Sequence, residues 1–176
     1  MSACSLAVMA RIALPDGDQP EIVRVLTLVP EFAKAVGGYE KAVWGSSLDW
    51  RLHELVRMQV AIINECTVCL GWRTPQAIEA GVTDELLAGV PSYETFPDFT
   101  DTERVALEYT KHFCTDSARI SDDLMDRLGA QLSAAEIVEL TLVIGKYMSM
   151  GRFMQVLGLD QSCSLQMDDA GSVSVS

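Results

Sequence analysis

The sequence predicts a single all-α domain. Apolar residues recur at steps of three and four along most of the 176-residue chain, which is the periodicity of amphipathic helices. Prolines, glycines and hydroxyl residues stand where such helices would begin and end. We find no segment with the alternating pattern of a half-buried strand and no linker that would divide the chain. Hydrophobic residues make up 49% of the sequence, which is enough for one well-filled core.

Helix boundaries follow from residue types that favour helix ends. Proline favours the first turn, Ser, Thr and Asp favour the N-cap, and glycine favours the position after the last turn. The segment 91–99 (PSYETFPDF) is the clear loop, with two prolines. The predicted helix starts are Pro20, Pro30, Asp49, Thr83, Thr100 or Asp101, Ser121 and Ser133. The predicted helix ends are Gly37-Gly38, Asn64-Glu65, Gly81, Gly129 and Gly158.

The chain is expected to comprise an N-terminal segment 1–19, a helical domain 20–160 and a tail 161–176. The tail ends in DDAGSVSVS, which is small and polar, and we expect it to be disordered.

Charge excludes several classes of partner. The formal net charge is −12 and the acidic excess is spread along the chain, so neither a nucleic acid nor an anionic membrane surface is an expected partner. No apolar run reaches eighteen residues without a charge, and the start MSACSLAVMAR lacks the basic region of a signal peptide. We therefore expect a cytoplasmic protein, whose thiols are kept reduced.

Two cysteines in the stretch 64–73 (NECTVCLGWR) are the first candidate for chemistry. If Cys66 lies in the first turn of a helix, Cys69 lies one turn further on nearly the same face, within reach of a disulfide. A helix N-terminus lowers the pKa of a thiol and so raises its thiolate fraction. Glu65 opposes this effect, whereas Arg73, four residues after Cys69, would place a cation one turn below.

Two other interpretations of the pair are open from the residues alone. Both cysteines could be packing residues, since free cysteine is among the most buried residue types. They could also be half of a zinc site, but structural zinc sites need two ligand pairs. Cys4, Cys114 and Cys163 are isolated, and His53 and His112 do not stand at ligand spacing, so we expect no metal.

An ordered set of motifs extends well beyond the cysteine pair. Glu54 precedes Cys66 by twelve residues, and after Cys69 follow GVTDELL, FTDTERVALEY and ISDDLMDRLGAQLSAAEIVELTLVIGKYMSMGRF. Over about residues 20–160 this order resembles the carboxymuconolactone decarboxylase/alkylhydroperoxidase AhpD-like family. The resemblance implies an all-α fold and a symmetric homo-oligomer, usually a trimer or hexamer, although a dimer is also an option.

The resemblance also implies an activity and site residues. In the peroxidase branch of the family the second cysteine, here Cys69, attacks the peroxide, and the first, here Cys66, resolves the sulfenic acid into a disulfide. An external thiol donor then reduces that disulfide, with no metal or organic cofactor. Glu54 matches the glutamate of the proton relay. It can approach the cysteines only if the chain turns back after its helix, because twelve residues of helix rise roughly 18 Å.

The sequence departs from the family pattern at the relay histidines. The position four residues after the second cysteine is Arg73, and the position before it is Val68. Arginine can stabilise a thiolate but does not release its proton at neutral pH. Glu54 is then the candidate base, and its neighbour His53 should point away by about 100°. Peroxidase activity is therefore expected to be weakened.

Structural roles for the two charged residues remain open. Glu54 could pair with Arg51 or Arg57 on a solvated helix face, and Arg73 could pair with Glu54 or Glu65. At the level of the whole protein, the alternatives to a thiol oxidoreductase are a lyase of the carboxymuconolactone decarboxylase type and an oligomeric scaffold without catalysis.

Overall fold

The structure is a computed structural model that describes residues 10–160, 165–167 and 173–175. Within them the chain forms nine α-helices. They are α1 (Glu21–Leu26), α2 (Pro30–Trp44), α3 (Trp50–Ile63), α4 (Thr67–Gly71), α5 (Pro75–Glu79), α6 (Asp84–Ala88), α7 (Asp101–Thr115), α8 (Asp122–Gly129) and α9 (Ala134–Leu157). Short 3₁₀ turns cover Val90–Ser92 and Ser117–Arg119. The predicted all-α class is confirmed.

The helix starts lie where the sequence places them. Pro30 is the first residue of α2, and side-chain oxygens accept backbone N–H bonds at the caps of six helices. Thr100 and Ser133 each form a complete capping box with the glutamate three residues later, which satisfies two backbone donors at once. The six capping residues are Asp49, Thr74, Thr83, Thr100, Ser121 and Ser133.

The predicted end of α2 is wrong. The helix continues through Gly37 and Gly38 to Trp44. A glycine inside a helix costs about 1 kcal/mol relative to alanine, which packing can outweigh. Here Tyr39 donates to the Leu142 carbonyl of α9, and Val43 is buried in the core, so the second half of α2 is held against the rest of the domain.

The expectation of a disordered tail without strands is wrong for two short segments. Leu165–Met167 (β1) pairs antiparallel with Val173–Val175 (β2), with Gln166 opposite Ser174. Runs of three residues are too short to reveal a strand by periodicity, although valine and leucine favour strands over coil.

Helix α3 lies at the centre of the domain and packs against α7 and α9. Every residue from 52 to 61 is buried, so this helix is enclosed on all sides. The enclosed residues include the polar side chains of His53, Glu54, Arg57 and Gln59. Burying charge is expensive unless it is paired, so these residues must find partners within the core.

The N-terminal helix α1 is fastened to the residues that follow α9. The Asp160 carboxylate accepts hydrogen bonds from the backbone N–H groups of Glu21 and Ile22, at 2.9 Å each. In return, the Glu21 carboxylate accepts the Asp160 N–H at 2.7 Å. This reciprocal contact holds α1 across the end of α4.

Among the described residues, no single helix is long and apolar enough to cross a membrane. Helices α8 and α9 pass the criterion only as a pair, and the chain bends by 116° between them.

Candidate active site

A tight turn between α3 and α4 places the cysteines beside α3. The Glu65 N–H bonds to the Ile62 carbonyl and the Cys66 N–H bonds to the Ala61 carbonyl, which is the Schellman pattern of a helix C-terminus. Glu65 has a φ of 52°, in the left-handed region where glycine is usual. The break predicted at Asn64-Glu65 is confirmed, and so is the chain reversal that brings α4 back toward Glu54.

The turn is anchored to α9 by Asn64. Its amide donates to the carbonyls of Tyr147 and Met148, and its Oδ1 accepts a bond from Arg152 Nε at 3.1 Å. Gly151 makes this approach possible, because a Cβ there would lie 2.7 Å from Asn64 Nδ2. The cysteine turn is thus fixed to the longest helix of the domain.

Cys66 and Cys69 form a disulfide across the first turn of α4, with their Cα atoms 5.2 Å apart. Cys66 is the N-cap of this helix, and its Sγ accepts the Cys69 N–H. The two sulfurs differ in access. Cys66 is fully buried against Val25 and Met154, whereas Cys69 is only half-buried.

A third cysteine is described, and it lies elsewhere in the fold. Cys114 of α7 is buried as a free thiol, and burial raises its pKa to about 11. It therefore stays protonated and unreactive near neutral pH. Cys4 and Cys163 lie outside the described residues.

Glu54 is completely buried and forms a two-pronged ion pair with Arg57. The guanidinium donates to both carboxylate oxygens, at 2.6 and 2.8 Å. Arg57 also donates to the carbonyls of Cys69, at 2.5 Å, and Trp72, at 3.0 Å, and its guanidinium lies over the Trp72 ring. Glu54 is therefore connected to the cysteine segment through Arg57. The partner expected from the i, i+3 spacing is present, but the pair is in the core and not on a solvated face.

Arg73 lies away from the disulfide. Helix α4 ends at Gly71 and Trp72 is extended, so Arg73 does not occupy the position one helical turn below Cys69. Its guanidinium instead donates to Asp84 and to the carbonyls of Leu70 and Trp72. The ion pair considered with Glu54 or Glu65 is formed with Asp84, whose side chain is 82% exposed.

Cys69 opens into a cavity of about 210 Å³ enclosed by α1, α2, α3, α4 and α9. Its wall is mostly apolar, and this volume is slightly below the roughly 300–1,000 Å³ of typical ligand pockets. The lining residues are Ile22, Val23, Glu40, Arg57, Val68, Cys69, Trp72, Lys146, Tyr147, Met150, Gly151 and Met154.

The polar part of this cavity is a lysine–glutamate pair. Lys146 of α9 is buried, and its Nζ contacts both oxygens of Glu40, at 2.6 and 2.7 Å. The Trp44 indole also donates to Glu40, at 2.6 Å, which fixes the carboxylate. The ammonium lies 4.2 Å from the centre of the Tyr147 ring, a cation–π contact.

An aromatic stack supports the pair from behind. The Tyr147 hydroxyl lies 3.0 Å from His53 Nε2, and the His53 ring stacks on Trp50 with 4.7 Å between centroids. Burial, together with the charges of Lys146 and Arg57, lowers the pKa of His53 to about 4, so this imidazole is neutral near pH 7. Burial raises the pKa of the Tyr147 phenol, which stays protonated.

The structure brings three of the four residues predicted from the sequence into one site. Cys69 lines the cavity, Cys66 lies beneath it, and Glu54 reaches it through Arg57, whereas Arg73 lies outside. Arg57, Glu40 and Lys146 were not predicted. A signal for Lys146 exists in the sequence, because it is a charge within the apolar stretch 140–150 of α9. No group of three His, Cys, Asp or Glu side chains suited to a metal ion occurs within the described ranges.

Comparison with known proteins confirms the family predicted from the sequence. Residues 30–112 match the carboxymuconolactone decarboxylase family, and this segment holds Glu54, the cysteine pair and the turn between them. The uncharacterised protein YdfG of Bacillus subtilis (strain 168) is 26% identical over 74% of this chain and 90% of its own length. The uncharacterised protein YnjA of Escherichia coli (strain K12) is 32% identical over 65% of this chain and 63% of its own length.

Solved structures share the fold. An Agrobacterium tumefaciens protein of unknown function, described as a candidate antioxidant defence protein AhpD, aligns with a TM-score of 0.68 and 24% identity over 85% of this chain and 95% of its own. A peroxidase-related protein from Ralstonia eutropha JMP134 with the AhpD core gives 0.68 and 14% over 86% and 78%. The debrominase Bmp8, solved with 2,3,4-tribromopyrrole, gives 0.69 and 18% over 86% and 79%. At these identities the likeness shows the AhpD-like helical fold alone.

Proposed function

We propose that this protein is a thiol-dependent oxidoreductase of the AhpD type, which reduces organic hydroperoxides or disulfides through Cys69 and Cys66. The observation that carries the proposal is the unequal access of the two sulfurs. Cys69 lines a cavity large enough for a small organic molecule, and its disulfide partner Cys66 is buried directly behind it. An attacking thiol must meet the substrate, whereas a resolving thiol needs only to meet the oxidised partner.

The local electrostatics support a thiolate at Cys69. Helix α4 is short, but Arg57 lies directly beside the Cys69 backbone, and Lys146 lines the same cavity. Two cations near a thiol favour its ionised form. Arg73, on Asp84 at the surface, is not needed for this effect.

The proposed reaction with a hydroperoxide has two steps in which atoms and electrons balance. The Cys69 thiolate attacks the terminal peroxide oxygen, the O–O bond breaks, and Cys69 becomes a sulfenic acid while an alcohol leaves. The Cys66 thiol then displaces the hydroxyl from Cys69, which yields the disulfide and water. A dithiol donor restores both thiols by exchange, a step suited to the reducing cytoplasm. A disulfide substrate would enter through the same exchange chemistry.

The test is consumption of cumene hydroperoxide with a dithiol donor by wild type, Cys69→Ser and Cys66→Ser. We expect loss of turnover in both variants, and accumulation of a sulfenic acid on Cys69 only in Cys66→Ser, detected by a sulfenic-acid probe. Cys114→Ser is the matched control and should retain full activity, because that thiol is buried and protonated. If the wild type reduces neither peroxide nor disulfide and its cysteines do not cycle, the lyase and scaffold alternatives stand instead.

We also propose that the chain forms a homo-oligomer, as the family resemblance implies. Large apolar side chains remain exposed on α2 and α9, including Phe32 at 71% and Val138 at 58%. Contiguous apolar surface on a soluble domain is typical of an interface.

A further inference from the structure

The proposed reaction requires a proton donor, and the residues around the cavity differ sharply in their capacity to supply a proton. An alkyl hydroperoxide loses a strongly basic oxygen anion when its O–O bond breaks, so the step is faster if an acid protonates that oxygen. In the family pattern a histidine belongs to the relay, and here those positions are Val68 and Arg73.

Most neighbouring groups cannot act as this acid. Both Glu54 oxygens already accept bonds from Arg57, and a guanidinium does not release its proton at neutral pH. His53 is neutral and faces Tyr147, behind the cavity wall, and the Tyr147 phenol has its pKa raised by burial.

Lys146 differs from these groups because its ammonium lines the same small cavity as Cys69. It is nine-tenths buried, and its charge is balanced by Glu40, which two donors hold in place. A buried lysine within a catalytic cavity is costly unless it is paired, so the sequence maintains an arrangement that packing alone would not favour. The pair therefore places an acidic proton beside the reacting sulfur.

We propose that Lys146 is the general acid of this site: its ammonium protonates the oxygen that leaves when the Cys69 thiolate attacks an organic hydroperoxide, and Glu40 positions it. This inference rests on the proposed function and names the residue that replaces the missing histidine.

The protons balance over a full cycle. Lys146 gives one proton to the departing alkoxide and becomes a neutral amine. The Cys66 thiol then displaces hydroxide from Cys69, and its own proton completes the water molecule. When a dithiol donor reduces the disulfide, two protons are released, and Cys66 and Lys146 take one each while Cys69 returns as thiolate.

The pH dependence of the first step follows from the groups that face Lys146. Burial lowers the pKa of Lys146, the carboxylate of Glu40 from α2 raises it, and Arg57 from α3 lowers it. The step needs the protonated amine, so its rate falls as pH rises through this pKa. Glu40→Gln removes the group that raises the pKa, so the alkaline fall in rate should move to lower pH.

The experiment measures single-turnover oxidation of the pre-reduced protein by stopped flow, with tryptophan fluorescence as the signal because Trp72 lines the cavity. Wild type and Lys146→Met are each mixed with cumene hydroperoxide and with peracetic acid. Peracetic acid releases a carboxylate, which needs no proton. We expect the variant to react about 100-fold more slowly with the hydroperoxide and at a near wild-type rate with the peracid. A structural defect would slow both oxidants alike.

Lys146→Arg separates the proton from the charge. Arginine keeps the ion pair with Glu40 and the cation over Tyr147 but releases no proton, so its hydroperoxide rate should fall like that of Lys146→Met. Equal loss with both oxidants in Lys146→Met, or a wild-type hydroperoxide rate in either variant, would overturn the assignment of Lys146. If the wild type itself reacts with neither oxidant at Cys69, it is the proposed function that fails.

Discussion

At the scale of the residue, the buried Glu54–Arg57 pair is the feature that connects the core to the chemistry. Each partner is within 1% of complete burial, and the guanidinium also binds two backbone carbonyls of the cysteine segment. The pair therefore holds α4 in place as well as neutralising its own charges. This dual use explains why Glu54 can lie twelve residues before the cysteines and still influence them.

Removing one partner of this pair should be much worse than removing both. Arg57→Met leaves the Glu54 carboxylate buried without a counter-charge, and we expect a loss of about 3–5 kcal/mol in the free energy of unfolding, measured by urea denaturation. The double variant Glu54→Leu/Arg57→Met should recover a large part of that loss.

A surface arginine provides the matched control for this cycle. Arg127→Met also breaks a two-pronged pair, with Glu108, but its side chain is 46% exposed, so about 0.2–1 kcal/mol is expected. Equal losses for Arg57→Met and Arg127→Met would show that burial does not set the strength of the inner pair.

The sequence could predict the partner in this pair but not its environment. The i, i+3 spacing of Glu54 and Arg57 indicates contact on any helix. Whether that contact faces water depends on α7 and α9, which enclose α3 from distant parts of the chain. The same reason explains why Lys146 and Glu40, 106 residues apart, were not predicted to meet.

At the scale of the element, the contact between α3 and α9 depends on a neutral histidine. His53 of α3 stacks on Trp50 and meets the Tyr147 hydroxyl of α9. Its ring is only 1% exposed, so protonation would place an unpaired charge beside Lys146 in the core.

This contact should make the fold sensitive to acid. The pKa of His53 is 6.5 in the unfolded reference and about 4 in the folded protein, so the unfolded chain binds more protons between these values. Stability is then lost as pH falls from about 6.5 to about 4, by up to roughly 3 kcal/mol. His53→Gln should remove this part of the pH dependence of unfolding, and His112→Gln, outside the stack, should keep it. An identical pH dependence in wild type and His53→Gln would contradict the assignment.

Helix starts were predicted better than helix ends, for a physical reason. A capping hydroxyl or carboxylate at a start satisfies local backbone donors, so Thr100 and Ser133 can be identified from the four residues that follow them. A helix end depends on whether tertiary packing continues. Gly37 and Gly38 would end an isolated helix, but the bond from Tyr39 to α9 carries α2 past them. Arg73 was misplaced similarly, because α4 ends two residues before it.

At the scale of the whole molecule, the site depends on both ends of the described domain. Helix α1 supplies Ile22 and Val23 to the cavity wall, and Asp160, after α9, holds α1 in position through its two backbone contacts. The cavity is therefore formed only when the beginning and the end of the domain are both folded. The family resemblance predicted the cysteine chemistry, whereas this enclosure depends on contacts between residues 138 or more positions apart.

The exposed apolar side chains of α2 and α9 set the expectation for assembly. Phe32 and Tyr39 lie two turns apart on α2, Val138 and Leu142 lie one turn apart on α9, and the bond from the Tyr39 hydroxyl to the Leu142 carbonyl joins the two helices. If a second copy covers this surface, a carboxylate placed there must be buried without a partner. The double variant Phe32→Asp/Leu142→Asp should therefore sediment as a monomer where the wild type sediments as an oligomer. Ile78→Asp, at a side chain 61% exposed on α5, is the control and should keep the wild-type mass. A monomeric wild type, or an oligomer unaffected by the double variant, would show that this face is not the interface.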